Sequence, residues 1–391
     1  MLKMTGFIIL GSVALLLLAG IIFLHTSPVF GGKASKTQKE NYARFSGYQQ
    51  GKFVNQLPTS MDMDVSEYAN LTIEYIRGTP NSKPAAALPV EKIDPAEVAQ
   101  KDTGVTRLRW LGHSALLLET YGKTILLDPM LGPSPSPFPW LGSQRYGELP
   151  ITADQLPYID ALIISHDHYD HLDYSSIRKL KDKTAHFYVP LGVGAHLSAW
   201  GVPTEKIHEM KWGDEIEHEE LTFVCTPARH FSGRGLLDRD HTLWASWIIH
   251  TPSAKLFFSG DSGYGPHFKE IGEKYGPFDL AMIECGQYDL RWEAIHMLPE
   301  QSVQAALDLQ AERMMPIHWG AFTLSLHSWT DPIERASREA QRLNVAITTP
   351  RLGEAIVLEE GVFPAAAWWK QPASPPRALN QMLKNDPYGI H

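Results

Sequence analysis

The chain has 391 residues, of which 43% are hydrophobic and 20% are charged, and its formal net charge is −9 at pH 7. A chain of this length can bury one large core, or two halves that share a core. The acidic balance and the lack of a basic cluster argue against nucleic acid as a partner, because such binding depends on Lys and Arg contacts to phosphates. The two cysteines, Cys225 and Cys285, could either pair or remain free.

An uncharged hydrophobic run occupies residues 4–24. At 1.5 Å per residue, a helix of this length could cross a hydrocarbon core of about 30 Å. Residues 1–30 are therefore predicted to be a transmembrane anchor or a signal segment. The run is longer than a signal h-region of roughly 7–15 residues, which favours the anchor.

Residues 31–106 are rich in proline and polar residues. They are predicted to be a linker and an N-terminal extension, with short helices near 61–76 and 95–99. Strand-like runs begin at residue 107, so residues 107–391 are predicted to form one domain with a C-terminal tail.

Helices are expected between many of these strands. One is predicted at 299–312, and another opens at Asp331, which is expected to cap it ahead of Pro332. The expected strands are residues 107–110, 115–120, 124–127, 161–164, 186–189, 222–226, 244–250, 255–258, 280–283, 315–317 and 355–358.

A cluster of metal-binding residue types follows one apolar strand-like run and reads His166-Asp-His-Tyr-Asp-His-Leu-Asp. His166 and His168 are two residues apart, so at a strand end they project to the same side and can hold one metal through imidazole nitrogens. Asp170 and His171 fall on the following turn, where they can face a neighbouring site. This concentration of ligands predicts a hydrolase centre with two metal ions.

Three further positions downstream also follow strand-like runs, so they are expected at the same end of a sheet. These are His230, Asp261 and His318. Asp261 follows Gly260, whose missing side chain lets the backbone turn close to a metal. Each position alone is typical of a structural histidine or a turn, but their conjunction with the histidine cluster favours a metal centre.

At these positions the chain resembles the metallo-β-lactamase superfamily, and within it the branch of N-acyl-phosphatidylethanolamine-hydrolysing phospholipase D. The resemblance covers about residues 107–359 and is carried by Trp110-Leu-Gly-His113, Leu127-Asp128-Pro129, the cluster from His166 to Asp173, Pro227-Ala-Arg-His230, Leu243-Trp-Ala-Ser-Trp247, Gly260-Asp-Ser-Gly-Tyr264, Gly276-Pro-Phe-Asp-Leu280 and Ile317-His-Trp-Gly320. It implies an α/β (α+β) fold, a four-layer αββα sandwich in which helices cover two sheets.

The resemblance also implies the ligands of two zinc ions, with manganese or iron as alternative metals. One ion is assigned to His166, His168 and His230, the other to Asp170, His171 and His318, and Asp261 is assigned as the bridge. The residues assigned to catalysis are Asp170, Asp261, His296 and His113. Asp170 or Asp261 would move the proton and His296 would orient substrate, while His113 and Asp128 would support the ligands or contact substrate.

The implied activity is hydrolysis of a phosphodiester, of the N-acyl-phosphatidylethanolamine type, through attack by a metal-bridging hydroxide. The alternative is a zinc-dependent lactonase or another cyclic-ester hydrolase on the same fold. The expected partners are a lipid or small-molecule phosphodiester, the membrane through the N-terminal helix, and a second copy in a homodimer, with no nucleic acid. The expected location is a bacterial membrane, with the catalytic domain outside the cytoplasm.

Residues 132–142 are too rich in proline to form a helix or an interior strand. The segment is predicted to be a stiff loop after Asp128. It is expected either to form a lid or an acyl-chain wall through Phe138 and Trp140, or to be a surface loop whose aromatic rings pack down.

Overall fold

Two β-sheets lie at the centre of the molecule in the computed structural model, which describes residues 10–12, 14–15, 18, 20, 22–24, 26–61 and 63–370. The strands are β1 (Tyr48–Gln49), β2 (Lys52–Phe53), β3 (Thr106–Gly112), β4 (Ala115–Thr120), β5 (Lys123–Leu127), β6 (Ile159–Ile163), β7 (Thr184–Pro190), β8 (Ile207–Met210), β9 (Glu215–His218), β10 (Leu221–Thr226), β11 (Ser246–His250), β12 (Lys255–Phe258), β13 (Leu280–Glu284), β14 (Met314–Ile317) and β15 (Ala355–Val357). One sheet has the order β15-β3-β4-β5-β6-β7-β8 and the other β14-β13-β12-β11-β10-β9, while β1 and β2 form a separate hairpin.

Helices pack on the outer faces of both sheets. The α-helices are α1 (Lys36–Tyr42), α2 (Val65–Arg77), α3 (Pro95–Ala99), α4 (Tyr174–Leu180), α5 (Val193–Ala199), α6 (His267–Tyr275), α7 (Pro299–Asp308) and α8 (Asp331–Leu343). Helices α4 and α5 contribute Ile177 and Leu197 to a cluster on the first sheet, and α6 to α8 contribute residues such as Phe268 and Val303 to a cluster on the second.

Strand β4 shows why the sheets are buried on both sides. Its alternate residues Leu116 and Leu118 belong to the core between the sheets, whereas Leu117 belongs to the cluster beneath the helices. Successive side chains of a strand point to opposite faces, so a run of apolar residues fits a strand covered on both faces. This arrangement confirms the predicted αββα sandwich.

The topology brings several strand ends to one edge of the sandwich. Strands β5 and β6 are parallel, and so are β12, β13 and β14. Strand β4 is antiparallel to both β3 and β5, so β3 and β5 run in the same direction. Strand β11 is likewise antiparallel to both β10 and β12, so these two also run in the same direction. The carboxyl ends of these strands therefore share one edge, where ligand sites of α/β sheets are commonly found.

Most predicted strands are present with small shifts at their ends, and β4 and β12 have the predicted bounds. Other elements were not predicted, namely α1, α4, α5, α6, β1, β2, β8 and β9. The helix from Asp331 is present, but the prediction of its cap was wrong, because Thr330 occupies the cap position. The Asp331 carboxylate accepts a hydrogen bond from the Tyr288 hydroxyl instead. Cys225 and Cys285 are buried and not bonded to each other.

The expected location in a bacterial membrane is contradicted. No described helix combines the length and the hydrophobicity that crossing a bilayer requires. Helices α2 and α8 each have 13 residues, which at 1.5 Å per residue is about 20 Å and falls short of a hydrocarbon core of about 30 Å. The hydrophobic run 4–24, on which the expectation depended, lies partly outside the described residues.

Candidate metal centre

The candidate site residues sit where strands end and the backbone turns sharply. His113 follows β3, Asp128 follows β5 and His318 follows β14, and all three have positive φ angles of 55°, 39° and 66°. Gly260 follows β12 with a φ of 54°, and a Cβ built there would lie 2.5 Å from the Cβ of Ser165. Glycine is therefore required for the two sheets to approach each other at this edge.

Three imidazoles form the first cluster. Nε2 of His166 lies 2.9 Å from Nδ1 of His168, which lies 3.2 Å from Nε2 of His230. His166 and His230 are buried. A tetrahedral zinc ion with Zn–N bonds of 2.0–2.1 Å separates its nitrogen ligands by about 3.3 Å. The nitrogens therefore converge at the spacing of metal ligands.

The first cluster is also electrically suited to a cation. Burial, and then the neighbouring imidazoles, hold the pKa of His166 well below its usual value. Burial also holds the pKa of His230 well below its usual value, and the nearby His168 lowers it further. Both rings are therefore neutral at pH 7, which is the form of histidine that binds metal.

The second cluster contains a carboxylate. Oδ2 of Asp170 lies 3.5 Å from Nε2 of His171 and 3.3 Å from Nε2 of His318. It also lies 2.8 Å from Nε2 of His113, which is fully buried. His113 thus contacts a predicted metal ligand, and its supporting role stays a prediction.

Asp261 lies between the two clusters. Its Oδ2 is 3.0 Å from Nε2 of His171 and 3.2 Å from Nε2 of His318. The same oxygen is 3.8 Å from Nε2 of His166 and 3.8 Å from Nε2 of His230. One carboxylate therefore faces imidazoles of both clusters, as a bridging ligand would.

Charge distinguishes the second cluster from the first. Burial alone would lower the pKa of His318, but the neighbouring carboxylates of Asp261 and Asp170 outweigh burial and raise this pKa to about 10. The pKa of His171 is likewise raised, because neighbouring carboxylates outweigh its burial. Burial would raise the pKa of Asp261, but His171 and His318 hold it well below its usual value. The carboxylates carry negative charge that a metal ion would neutralise.

Buried atoms without partners support a metal at this position. Within the described part of the chain, Nε2 of His171 and Oδ1 of Asp261 are buried and make no directed hydrogen bond. Buried polar atoms of this kind are costly unless something binds them. The donor set of imidazoles and carboxylates suits zinc, and the carboxylates also suit manganese or iron.

Neighbouring groups fix the orientation of the ligand rings. Oδ2 of Asp128 lies 2.7 Å from Nδ1 of His171, and both oxygens of Asp128 accept hydrogen bonds from Ser165. Nδ1 of His230 lies 2.9 Å from the carbonyl oxygen of Ile295, so this ring is also held. Partners of this kind on the far nitrogen orient a ligand imidazole and raise its basicity.

Glu284 belongs to the site but was missed in the sequence. It is fully buried at the end of β13, and its Oε2 lies 3.1 Å from Nδ1 of His296 and 3.6 Å from Nδ1 of His318. Burial raises the pKa of Glu284. The signal was a carboxylate at the end of an apolar strand, which is the pattern that identified Asp261.

The structure brings all of the predicted site residues together at one edge of the sandwich. The His296 ring lies 5.2 Å from that of His318 and 5.1 Å from that of His230, measured between centroids. Direct contacts connect the remaining residues to these rings and to one another, namely His166, His168, His171, Asp128, Asp170 and Asp261. That these residues bind metal stays a prediction.

The fold and the convergent ligands are those of a metal-dependent hydrolase of the metallo-β-lactamase superfamily. The family model described as the beta-lactamase superfamily domain matches residues 123–319. The chain belongs to this superfamily. An isothiocyanate hydrolase from Delia radicum gut bacteria shares the fold, with a TM-score of 0.51 and 19% identity over 66% of this chain and 100% of the neighbour.

Two curated relatives place the chain more finely. An uncharacterized protein of Mycobacterium tuberculosis is 39% identical over 352 residues, which are 89% of this chain and 93% of the relative. The N-acyl-phosphatidylethanolamine-hydrolyzing phospholipase D 1 of Caenorhabditis elegans is 33% identical over 251 residues, which are 61% of this chain and 70% of the relative. The resemblance to the phospholipase D branch is therefore confirmed.

Proposed function

We propose that this protein is a zinc-dependent phosphodiesterase that hydrolyses N-acyl-phosphatidylethanolamine to an N-acylethanolamine and a phosphatidic acid. The observation that carries the proposal is the position of Asp261, whose Oδ2 lies 3.0 to 3.8 Å from imidazoles of both clusters. The choice of substrate follows the relative from Caenorhabditis elegans, whose name states that activity.

Two ions are assigned to the site in this proposal. His166, His168 and His230 would hold one ion, and Asp170, His171 and His318 would hold the other, with Asp261 between them. When bound, such ions supply an acidified water as the nucleophile and positive charge that stabilises phosphoryl oxygens in the transition state.

The protein's own residues have separate tasks. Asp170 stays ionised, because its pKa is held well below the usual value by His171 and His113, against the effect of burial. Nδ1 of His296 is directed at Glu284, which leaves its Nε2 available to the substrate. The His296 side chain is 13% exposed, so we assign it to the oxygen of the departing ethanolamide, where it holds or donates a proton.

The loops that follow site residues carry exposed apolar side chains. Trp140 is 77% exposed in the proline-rich loop after Asp128, and Leu236 and Leu237 are exposed in the loop after His230. Exposed large apolar groups in loops that follow site residues suit a substrate with long hydrocarbon chains. We therefore assign Trp140 to a lid or to a wall that contacts the acyl chains.

The test is release of N-acylethanolamine from N-acyl-phosphatidylethanolamine in mixed micelles by the purified, zinc-loaded protein, measured by mass spectrometry. Asp261→Asn serves as the inactive variant. Asp154→Asn serves as the matched control, because Asp154 is a solvent-exposed partner of Lys179. We expect release by the wild type and by the control, and none by Asp261→Asn. Two bound metals without release would refute the substrate, and turnover of a lactone would then favour the cyclic-ester alternative.

A further inference from the structure

The segment that carries His230 has no regular secondary structure. Strand β10 ends at Thr226, and the chain runs through irregular backbone until β11 begins at Ser246. Backbone N–H and C=O groups in such a segment need partners when they are buried. His230 is fully buried, so the partners of its backbone determine how firmly the imidazole is placed.

Both backbone groups of His230 bond to one side chain of the N-terminal extension. Nδ2 of Asn55 donates to the carbonyl oxygen of His230 at 2.6 Å. The N–H of His230 donates to Oδ1 of Asn55 at 3.1 Å. The two residues are 175 positions apart, and Asn55 lies before residues 123–319, the part matched by the superfamily model.

Neighbouring contacts hold the amide of Asn55 in place. Nε1 of Trp244 donates to Oδ1 of Asn55 at 3.0 Å, and this indole is buried. Phe53 is also buried and packs in the same cluster as Trp244 and Ala228. The extension is therefore anchored on both sides of the bonds to His230.

The side chain of Arg229 adds a second set of bonds beside His230. Its Nη2 donates to the carbonyl oxygen of Pro58 at 2.9 Å, and its Nε donates to Oγ1 of Thr59 at 3.0 Å. Two consecutive residues of the ligand segment are thus bonded to residues 55–59.

Val29, just before the extension, is linked through Arg234 to the loop that carries the histidine cluster. The guanidinium of Arg234 donates to the carbonyl oxygen of Val29 through Nε and Nη2, at 3.1 and 2.9 Å. Its Nη1 donates to the carbonyl oxygens of Asp167 and Leu172, at 2.6 and 2.8 Å. Arg234 is buried. The N-terminal segment therefore bonds the His230 backbone directly through Asn55 and reaches the loop of His166 and His168 indirectly, through Arg234.

We infer that the N-terminal extension is a structural part of the metal centre, and that Asn55 is a positioning residue that holds His230 in place to bind metal. The inference rests on the assignment of His230 as a ligand in the proposed function. The side-chain amide of Asn carries both a donor and an acceptor, so neither Asp nor an apolar residue can form both bonds to His230. Asn55 thus acts on the metal through the backbone of a ligand.

The test compares Asn55→Ala and Asn55→Asp with wild type in the full-length chain. Zinc affinity is measured by competition with a chromophoric chelator, and the visible spectrum of the cobalt-substituted protein reports ligand geometry. We expect Asn55→Ala to weaken one of two zinc sites by about 10-fold or more and to alter the cobalt spectrum. Asn55→Asp keeps the acceptor for the His230 N–H but turns a carboxylate oxygen toward the His230 carbonyl oxygen, so it should weaken the same zinc site as well.

Gln56→Ala is the matched control, since Gln56 is the neighbouring amide and is exposed. It should leave zinc affinity and the cobalt spectrum unchanged. Wild-type affinity and spectrum in both Asn55 variants would overturn the inference, as would an equal loss in Gln56→Ala. If Asn55→Ala does not fold, Asn55→Asp decides. These readouts need no substrate, so failure of the proposed phospholipase activity would leave the outcome for Asn55 intact.

Discussion

The two halves of the candidate centre are built differently. The half with His166, His168 and His230 contains imidazoles alone, and burial keeps the pKa values of His166 and His230 low. The other half contains Asp170 beside His171 and His318, whose pKa values are raised by carboxylates. Neutral nitrogen donors suit zinc, whereas a site with carboxylates also accepts manganese or iron.

We therefore expect the two halves to tolerate substitution unequally. The imidazole half depends on geometry, which the backbone supplies through Asn55 and the carbonyl of Ile295. The carboxylate half depends on charge, which is distributed over Asp128, Asp170, Asp261 and Glu284. Of these acids only Asp170 and Asp261 are predicted ligands, whereas Asp128 and Glu284 contact the rings of His171, His296 and His318. Only Asp261 belongs to both halves.

The largest effect is expected from Asp261→Asn, because the substitution removes the charge that both halves share. Metal charge is worth several kcal/mol in the transition state, so kcat should fall by about 1,000-fold or more. Metal content per chain, measured by mass spectrometry, should fall as well. Full activity with two metals retained would show that Asp261 does not connect the halves.

His168→Ala should separate the halves. Since the imidazole half has no carboxylate of its own to compensate, we expect metal content to fall from two ions toward one, and kcat to fall by about 100-fold. The remaining ion should be the one near Asp170. Loss of both ions together, measured in the same way, would mean that the halves bind metal as one unit.

His113→Ala removes the partner that lies 2.8 Å from Asp170 but no predicted ligand. We expect two metals to remain and the rate to fall by roughly 10- to 100-fold, because partners of this kind orient ligands without replacing them. Steady-state kinetics with metal analysis on the same sample measures this. Loss of a metal ion would place His113 among the ligands.

Glu284→Gln tests the buried acid that contacts the His296 and His318 rings. The amide keeps the acceptor for the backbone N–H of Met297 but loses the negative charge beside His296 and His318. We expect kcat to fall by about 10-fold with little change in KM. A rate equal to wild type would limit Glu284 to a role in folding.

The smallest effect is expected from Trp140→Ala, since this ring is 77% exposed and outside both halves. Surface changes of this kind alter stability by about 0.5 kcal/mol or less, so the melting temperature should stay close to wild type. KM should rise a few-fold for substrates with long acyl chains and not for short-chain ones. An equal change for both would argue against an acyl-chain wall.

Much of the fold followed from local patterns in the sequence. Strands such as Ala115–Thr120 were predicted with their observed bounds, because continuous apolar runs mark strands covered on both faces. The predicted ligands lie at or shortly after the ends of such runs, whereas His296 was assigned from the family resemblance alone. Short elements such as Ile207–Met210 carry too few residues for a periodic signal.

The contacts that position the site could not be predicted in this way. The bonds between Asn55 and His230 join residues 175 positions apart, and no local pattern encodes such a pairing. Glu284 was missed because, unlike Asp261 after Gly260, it has no glycine before it to mark a sharp turn at the strand end. The expected membrane location rested on the hydrophobic run 4–24, and it is contradicted because no described helix is long and apolar enough to cross a membrane.

The central claim is that both halves bind a metal ion around Asp261. Crystals of the zinc-loaded protein, measured on both sides of the zinc absorption edge, test it directly. The account predicts two anomalous peaks about 3.5–4 Å apart, one among His166, His168 and His230, the other among Asp170, His171 and His318. A single peak, or peaks away from Asp261, would contradict it.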